Sequence, residues 1–422
     1  MDAGFFCFLS ISGHKSSVFL VTDGFCYIHG GIPLNKIKGV VIMEQERFQD
    51  CYSTTFSSYP AMLGYHESQA ESSLWTRCPV KDLYVEPLDL ASPLAANDKF
   101  APGISKDAVY DTMANLGLAI RVNGEYYPVR ETAYRSLLGR AKISGTALPK
   151  LKKQELADVL NTCLQLFKHD ALVLVRDEKV SAVHSGDDSD YSVLPIDELI
   201  KTLQSKLNLR FPGNVFKEGY SDHSVTSGIW EFPRQKESLL GAYKKMLSHT
   251  GKPHIADKLI PGIRFTTSDT GVAAAKVSAL LLGGEMPIHI GSCISVDHRN
   301  HNKIENFERA LDQLFAQFGD SIGKLQDLAQ VWLNYPVNAM TRICKKLCLP
   351  KKAALEAVRM FETSNGSGPA TAHDVFMALQ EILFNLKADK ASQSKILLVE
   401  ESIARTLSMD WEEYDLAKAV DY

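Results

Sequence analysis

Near His301 the spacing of the apolar residues changes period, and that change constrains the fold more than any other feature of the chain. Upstream lie three runs rich in Ile, Val and Leu, at 262–267, 275–282 and 287–296, divided by Ser268-Asp269-Thr270-Gly271 and by Gly283-Gly284. Such runs between turn formers read as strands, and three in succession predict a buried antiparallel meander. Downstream, Ile304, Phe307, Leu311, Leu314 and Phe318 form one helical stripe ending at Gly319, and Ile322, Leu325, Leu328 and Val331 form the next. The remaining chain is expected to be helical too, with Pro350 in a first turn, a flexible joint over 364–369, a cap at Thr371-Ala372-His373-Asp374 before a helix over 375–386, and a last helix over 395–407. The fold class is therefore α+β, a mixed antiparallel sheet core with a C-terminal all-helical region.

At 422 residues the chain exceeds the ~250–300 at which one core stops growing. Three regions are expected: a β-rich N-terminal region over 1–100, an α+β core over 105–300 and a helical region over 302–422. The first holds strand-like runs at 17–21 and 39–43, then a linker punctuated by Pro87, Pro93 and Pro102. In the second, Val109, Met113 and Leu116 recur at helical spacing, Asn123-Gly124 marks a hairpin, and a helix follows over 131–141. The order then repeats, with a helix over 153–167, strands over 171–176 and 179–184 around Asp177-Glu178, and a helix over 195–207. Residue identity between the two copies is poor, so common α+β topology is a plainer reading of the recurrence than duplication.

Forty-five per cent apolar and 23% charged residues place most of the chain among folded proteins. A formal charge of −4 supplies no global field for nucleic acid or an anionic membrane, so any such binding needs a local patch. The eight cysteines (Cys7, Cys26, Cys51, Cys78, Cys163, Cys293, Cys344 and Cys348) include no CxxC pair, which fits reduced thiols in a cytoplasmic protein. The apolar opening over 4–9 lacks a basic flank, and no run approaches the ~20 apolar residues that span a bilayer, so neither signal peptide nor membrane partner is expected.

No GxxxxGK[ST], GxGxxG, GxSxG or HExxH occurs, which points away from an enzyme and leaves only a site assembled from distant residues. The densest polar segment runs over 293–303. Cys293, His298 and His301 offer zinc-type ligands but lack a fourth, so no metal and no cofactor is expected; the plainer reading is a solvated strand-to-helix loop. Arg299, His301 and Lys303 also stand where a helix N-terminus favours phosphate. A second basic cluster is Lys150, Lys152 and Lys153, and a third is Lys345, Lys346, Lys351 and Lys352; lysines at helix ends also complement the macrodipole. Asp187-Asp188-Ser189-Asp190 reads as a solvated turn, since it lacks the glycine and distal glutamate of a calcium loop. Ser221-Asp222-His223-Ser224 holds the residue types of a hydrolytic triad, but neighbours on a strand face opposite ways and cannot form the relay.

The order Glu125-Tyr126-Tyr127-Pro128-Val129, a helix, the 262–271 strand and turn, an Ile/Val/Leu strand, Cys293, His298 and a long helix resembles a family of phage- and plasmid-type proteins known only as a domain of unknown function. The likeness covers about 105–405, with Ser295 where the family pattern has Asn. It implies a mobile-element protein in a replication, recombination or anti-defence setting, and it carries over no catalytic residues. Two readings follow. One is a non-enzymatic nucleic-acid-associated protein, an oligomeric single-strand-binding or annealing factor whose contacts are Lys150, Lys152, Lys153, Arg299, His301 and Lys303. The other is a protein-interaction module, such as an inhibitor of a host defence system, with a host or phage protein as partner. An enzyme with a dispersed metal site ranks third.

Overall fold

The alternation of apolar residues between 260 and 296 builds the sheet on which most other elements pack. The structure, a computed structural model, describes residues 46–422 apart from 91, 97–98, 187–190, 251, 253–256, 285 and 367, together with the backbone of 21–22, 25–28 and 32–33. The chain divides into two units, Met1–Glu46 and Arg47–Tyr422. In the first, β1 (Val21–Thr22), β2 (Phe25–Ile28) and β3 (Ile32–Pro33) form a small antiparallel ladder. The strand expected over 39–43, most of the one over 17–21, and the acidic segment 187–190 lie outside the described residues.

The second unit begins with β4 (Ser53–Phe56), α1 (Tyr59–Glu71), β5 (Leu74–Cys78), β6 (Tyr84–Pro87), α2 (Pro93–Ala96) and α3 (Lys106–Ala114). Next come β7 (Leu118–Val122), β8 (Glu125–Pro128), α4 (Glu131–Ala141), α5 (Lys153–Leu164), β9 (Ala171–Arg176), β10 (Lys179–Ser185) and α6 (Ile196–Arg210). The stretch containing Pro87, Pro93 and Pro102 is not a linker. Strand β6 pairs antiparallel with β7, and Leu88 and Leu94 are buried beside it. Pro87 is tolerated because it ends a strand at the edge of the β6-β7-β8 sheet, where a missing N–H costs little.

Two antiparallel three-stranded sheets, β6-β7-β8 and β10-β9-β5, share one core with α4 and α5. Asn123 and Gly124 turn the β7–β8 hairpin with φ of 52° and 94°, the left-handed pair an Asn-Gly turn supplies. Asp177 and Glu178 do the same for β9–β10 at 47° and 66°. Glu178 is held there by accepting the Ser105 N–H at 2.6 Å.

Strands β11 (Val215–Asp222), β12 (Thr226–Glu231), β13 (Ile260–Thr267), β14 (Ala275–Leu282) and β15 (Ile288–Val296) complete the six-stranded antiparallel sheet, in the order β15-β14-β13-β12-β11-β4. Helix α7 (Lys236–His249) follows β12, and α8 (Ile304–Leu328) follows β15. The two apolar stripes predict a helix end at Gly319 and a new helix after it. Instead α8 runs unbroken, because Phe307, Leu311, Leu314, Phe318, Ile322 and Leu325 keep spacings of three and four straight through the glycine.

Beyond α8 lie β16 (Trp332–Leu333), α9 (Pro336–Lys346), α10 (Lys351–Asn365), β17 (Ala370–Thr371), α11 (Ala372–Leu379), α12 (Glu381–Ala388) and α13 (Gln393–Ala404). Thr371 caps α11 by accepting the Asp374 N–H at 3.2 Å while Asp374 accepts the Thr371 N–H at 3.3 Å. One hydrophobic cluster runs from Phe56 through the inner face of the large sheet and α8 to Trp411, so the C-terminal helices share the sheet's core. Among the described residues no helix is long and apolar enough to cross a membrane.

Candidate functional site

The residues read as metal ligands do not converge. Cys293 lies on the outer face of β15 and its thiol donates to the Ile294 carbonyl at 3.2 Å. His298 is buried against Tyr191, with ring centroids 5.4 Å apart, and its Nδ1 lies 3.2 Å from the Ser192 carbonyl. His301 is exposed in a left-handed turn with Asn300, at φ of 56° and 57°. Among the described residues no group of three His, Cys, Asp or Glu side chains gathers for a metal. The 221–224 tetrapeptide is dispersed in the same way. Ser221 bonds Thr226, Asp222 accepts the Ser224 and Val225 N–H groups, and His223 meets Arg130 and the Gln49 carbonyl.

The basic candidates part company. Lys153 turns inward and donates to the Met113 carbonyl at 2.9 Å, while Lys150 and Lys152 stay exposed. Of the third cluster, Lys345 and Lys351 donate to the carbonyls of Asp421 and Tyr422, and Lys352 pairs with Asp389, so these ends are occupied within the fold. Arg299, His301 and Lys303 are all exposed on the loop that starts α8. Beside them Ser295, Asn302, Asn306, Arg309 and Gln313 line an open groove of about 260 Å³. Lys303 N–H is capped by Asn306 Oδ1 at 3.0 Å, and Asn302 donates to the Asp297 carbonyl at 2.8 Å, which fixes the loop. Arg299, Lys303 and Arg309 are exposed and enter no ion pair among the described residues. Asp297 and Glu305 are exposed on the same loop and first turn and dilute that charge.

Deeper in, several polar groups serve the fold. Tyr191 stacks on His184 at 3.6 Å and donates to the Asp269 carbonyl at 2.8 Å, while the Asp269 carboxylate takes Arg176 at 2.6 Å. Burial pushes His184 down to about 4 and lowers His298 as well, so both rings are neutral near pH 7. Arg130 is wholly buried, donating to the Phe48 and Gln49 carbonyls at 3.2 and 3.3 Å and to Ser181 Oγ at 3.2 Å. Lys179, also wholly buried, pairs with Asp50 at 3.0 Å and with Asp111. These charges are paired on every side and line none of the pockets described here.

A second concave site lies on the outer face of the large sheet beneath α13. Arg264, Thr266, Lys276, Ser278, His289 and Cys293 point to that face because their neighbours Ile263, Phe265, Val277 and Ile290 point to the core. Between β14 and β15 the register shifts, with Ser278 opposite Cys293 but Leu280 opposite His289. Gly291 sits in this irregularity at φ 75°, and a side chain there would collide with Ser321 of α8. Arg264 pairs with Glu400 and Lys276 with Glu401 at 2.7 Å. Burial pushes His289 down to about 3, with Arg264 nearby reinforcing it, and pushes the Cys293 thiol up. Sequence reading missed this pocket. The available signal was a lone Arg or His inside an apolar strand, at Ile263-Arg264-Phe265 and Ile288-His289-Ile290.

No family model matches the chain, and neither does any curated protein or solved structure.

Proposed function

We propose that this is a non-enzymatic protein of mobile-element type that associates with single-stranded nucleic acid, holding its sugar-phosphate backbone in the groove at the start of α8. The observation that carries the reading is a groove lined by Asn302, Asn306, Arg309 and Gln313, with the exposed cations Arg299 and Lys303 on the adjoining loop and none of the three cations in an ion pair among the described residues. Guanidinium, ammonium and amide groups are the side chains that meet phosphate and sugar. The groove lining includes no aromatic ring, so stacking of bases is not the mode this surface favours. Binding should be sequence-tolerant and sensitive to salt.

For single strands each neutralised phosphate contributes about −0.7 to the log–log salt slope, so three cations give about −2. Replacing Arg299 and Lys303 together by Ala should flatten the slope by about 1.4. A Lys150→Ala, Lys152→Ala variant should leave it unchanged, since those lysines belong to the connection between α4 and α5 and not to the loop and first turns of α8. The measurement is binding to labelled single-stranded DNA across a salt series. Undetectable binding at low salt overturns the reading; an unaltered slope in the first variant discards the groove. The alternative, a protein-interaction module, draws support from Trp332, Tyr335 and Leu416, which are 65%, 46% and 47% exposed. Tyr335 N–H is tied to Asp415, so these three apolar side chains belong to one part of the helical region.

A further inference from the structure

We propose that the cavity beneath α13 is a binding site for a small neutral amide, a function separate from the groove at α8. The cavity holds about 60 Å³. That is well below the roughly 150 Å³ of an engineered cavity that takes benzene, so the ligand, or the part of it that enters, has only a few heavy atoms.

Two buried polar atoms on the cavity-lining residues have no partner: His289 Nε2 and Glu400 Oε1. Both residues are more than nine-tenths buried, at 4% and 3% exposure. An unsatisfied buried polar group is costly, so a fold that leaves two on residues lining one cavity gains from whatever bonds them. Glu400 engages Arg264 through Oε2 and, as a carboxylate, its free Oε1 only accepts. His289 is neutral, so its Nε2 carries either a proton or a lone pair. An amide suits both cases. Its N–H donates to Glu400, and its carbonyl or second N–H answers His289 in either tautomer.

The ion pairs disfavour an ionic ligand. Arg264 pairs with Glu400, and Lys276 shares Glu401 with Arg405, which bonds it at 2.9 Å from outside the lining, so an added charge would be desolvated without a free counter-charge among the lining residues. Val225, Val272, Ala273, Leu397 and Leu398 supply the apolar remainder of the lining. Leu398 is 59% exposed and forms the mouth, through which the rest of a larger amide extends.

The probes are acetamide and its charged isosteres acetate and acetamidinium, titrated against full-length protein carrying isotope-labelled histidine. Acetamide should shift the His289 ring signal saturably, at least tenfold more tightly than either isostere. His289→Leu should abolish high-affinity acetamide binding, read from the melting temperature because the ring signal is gone. Leu398→Trp closes the mouth from an exposed position, and should weaken acetamide at least tenfold while leaving the melting temperature of the free protein unchanged. The absence of a saturable shift means the cavity holds water only and overturns the proposal. So does equal or tighter binding of a charged isostere, or wild-type affinity in Leu398→Trp. These outcomes are independent of the salt-series experiment, since neither Arg299 nor Lys303 lines the cavity.

Discussion

Strands β13 to β15 present two faces built from alternate residues of the same segments, and the two are closed in opposite ways. On the inner face Ile263, Phe265, Val277 and Ile290 meet Phe307, Leu311 and Phe318 of α8, all buried in one cluster. Phe265 and Phe307 meet edge to face with centroids 5.9 Å apart. On the outer face Arg264 and Lys276 form ion pairs with Glu400 and Glu401 of α13, and His289 Nε2 and Glu400 Oε1 are left over. Burying a large apolar side chain yields about 1.5–3 kcal/mol, whereas a buried ion pair roughly breaks even with an apolar replacement. The inner face therefore contributes more stability per side chain than the outer face, where Arg264–Glu400 is buried and Lys276–Glu401 is partly exposed.

The largest effect that would break this contrast is on the inner face. Phe265→Ala should lose about 3–5 kcal/mol, because it removes a fully buried ring and leaves a cavity between β13 and α8. Leu398→Ala, at the exposed mouth of the outer cavity, should stay within about 0.5 kcal/mol. Urea midpoints at constant m-value measure both. Equal losses would show that α13 seals a second core and that the two faces do not differ in kind.

Protonation gives the next largest difference. His289 has a folded pKa of about 3 against an ordinary 6.5, because burial disfavours the charged ring. The unfolded chain therefore binds the proton first. The ring's contribution is complete above pH 6.5 and is lost as pH falls from there toward 3. At about pH 5.5 the loss is roughly 1.4 kcal/mol for this ring, taking one unit below the unfolded value. His289→Leu should thus reduce the stability drop between about pH 7.5 and 5.5 by that amount. His66, His184, His223 and His298, all lowered by burial, continue to contribute the remainder. An unchanged pH dependence would mean that water reaches His289 and that the outer face is open.

What the sequence revealed and what it hid follow the same division. The meander was legible because Ser268-Asp269-Thr270-Gly271 and Gly283-Gly284 bound runs of fixed length, and Asn123-Gly124 marked its hairpin by chemistry alone. Pairings between distant segments were not. Strand β4 joins the sheet by setting Phe56 opposite Gly219, and no local periodicity encodes that register. The outer cavity escaped notice for the same reason, since His289 and Glu400 are over a hundred residues apart. The exposed cluster Arg299, His301 and Lys303 was readable because it is contiguous, whereas Lys153 beside Lys152 was misleading because its neighbour Met113 is supplied by another helix.

The smallest effect concerns why α8 can close the inner face in one piece. Gly319 lies on the exposed side of α8, and a methyl group added there would meet nothing within 4 Å. Glycine inside a helix costs about 0.5–1 kcal/mol relative to alanine through backbone entropy. Gly319→Ala should therefore stabilise the protein by up to that amount, visible as a higher urea midpoint with no change in the acetamide or DNA titrations. The sign decides the matter. Were Gly319 a left-handed helix end, as its place between two apolar stripes suggests, alanine would be strained and the midpoint would fall. A rise shows that the inner face is covered by one continuous ridge, with Phe307 and Leu325 on the same helix, and that the stripes on either side of the glycine are one.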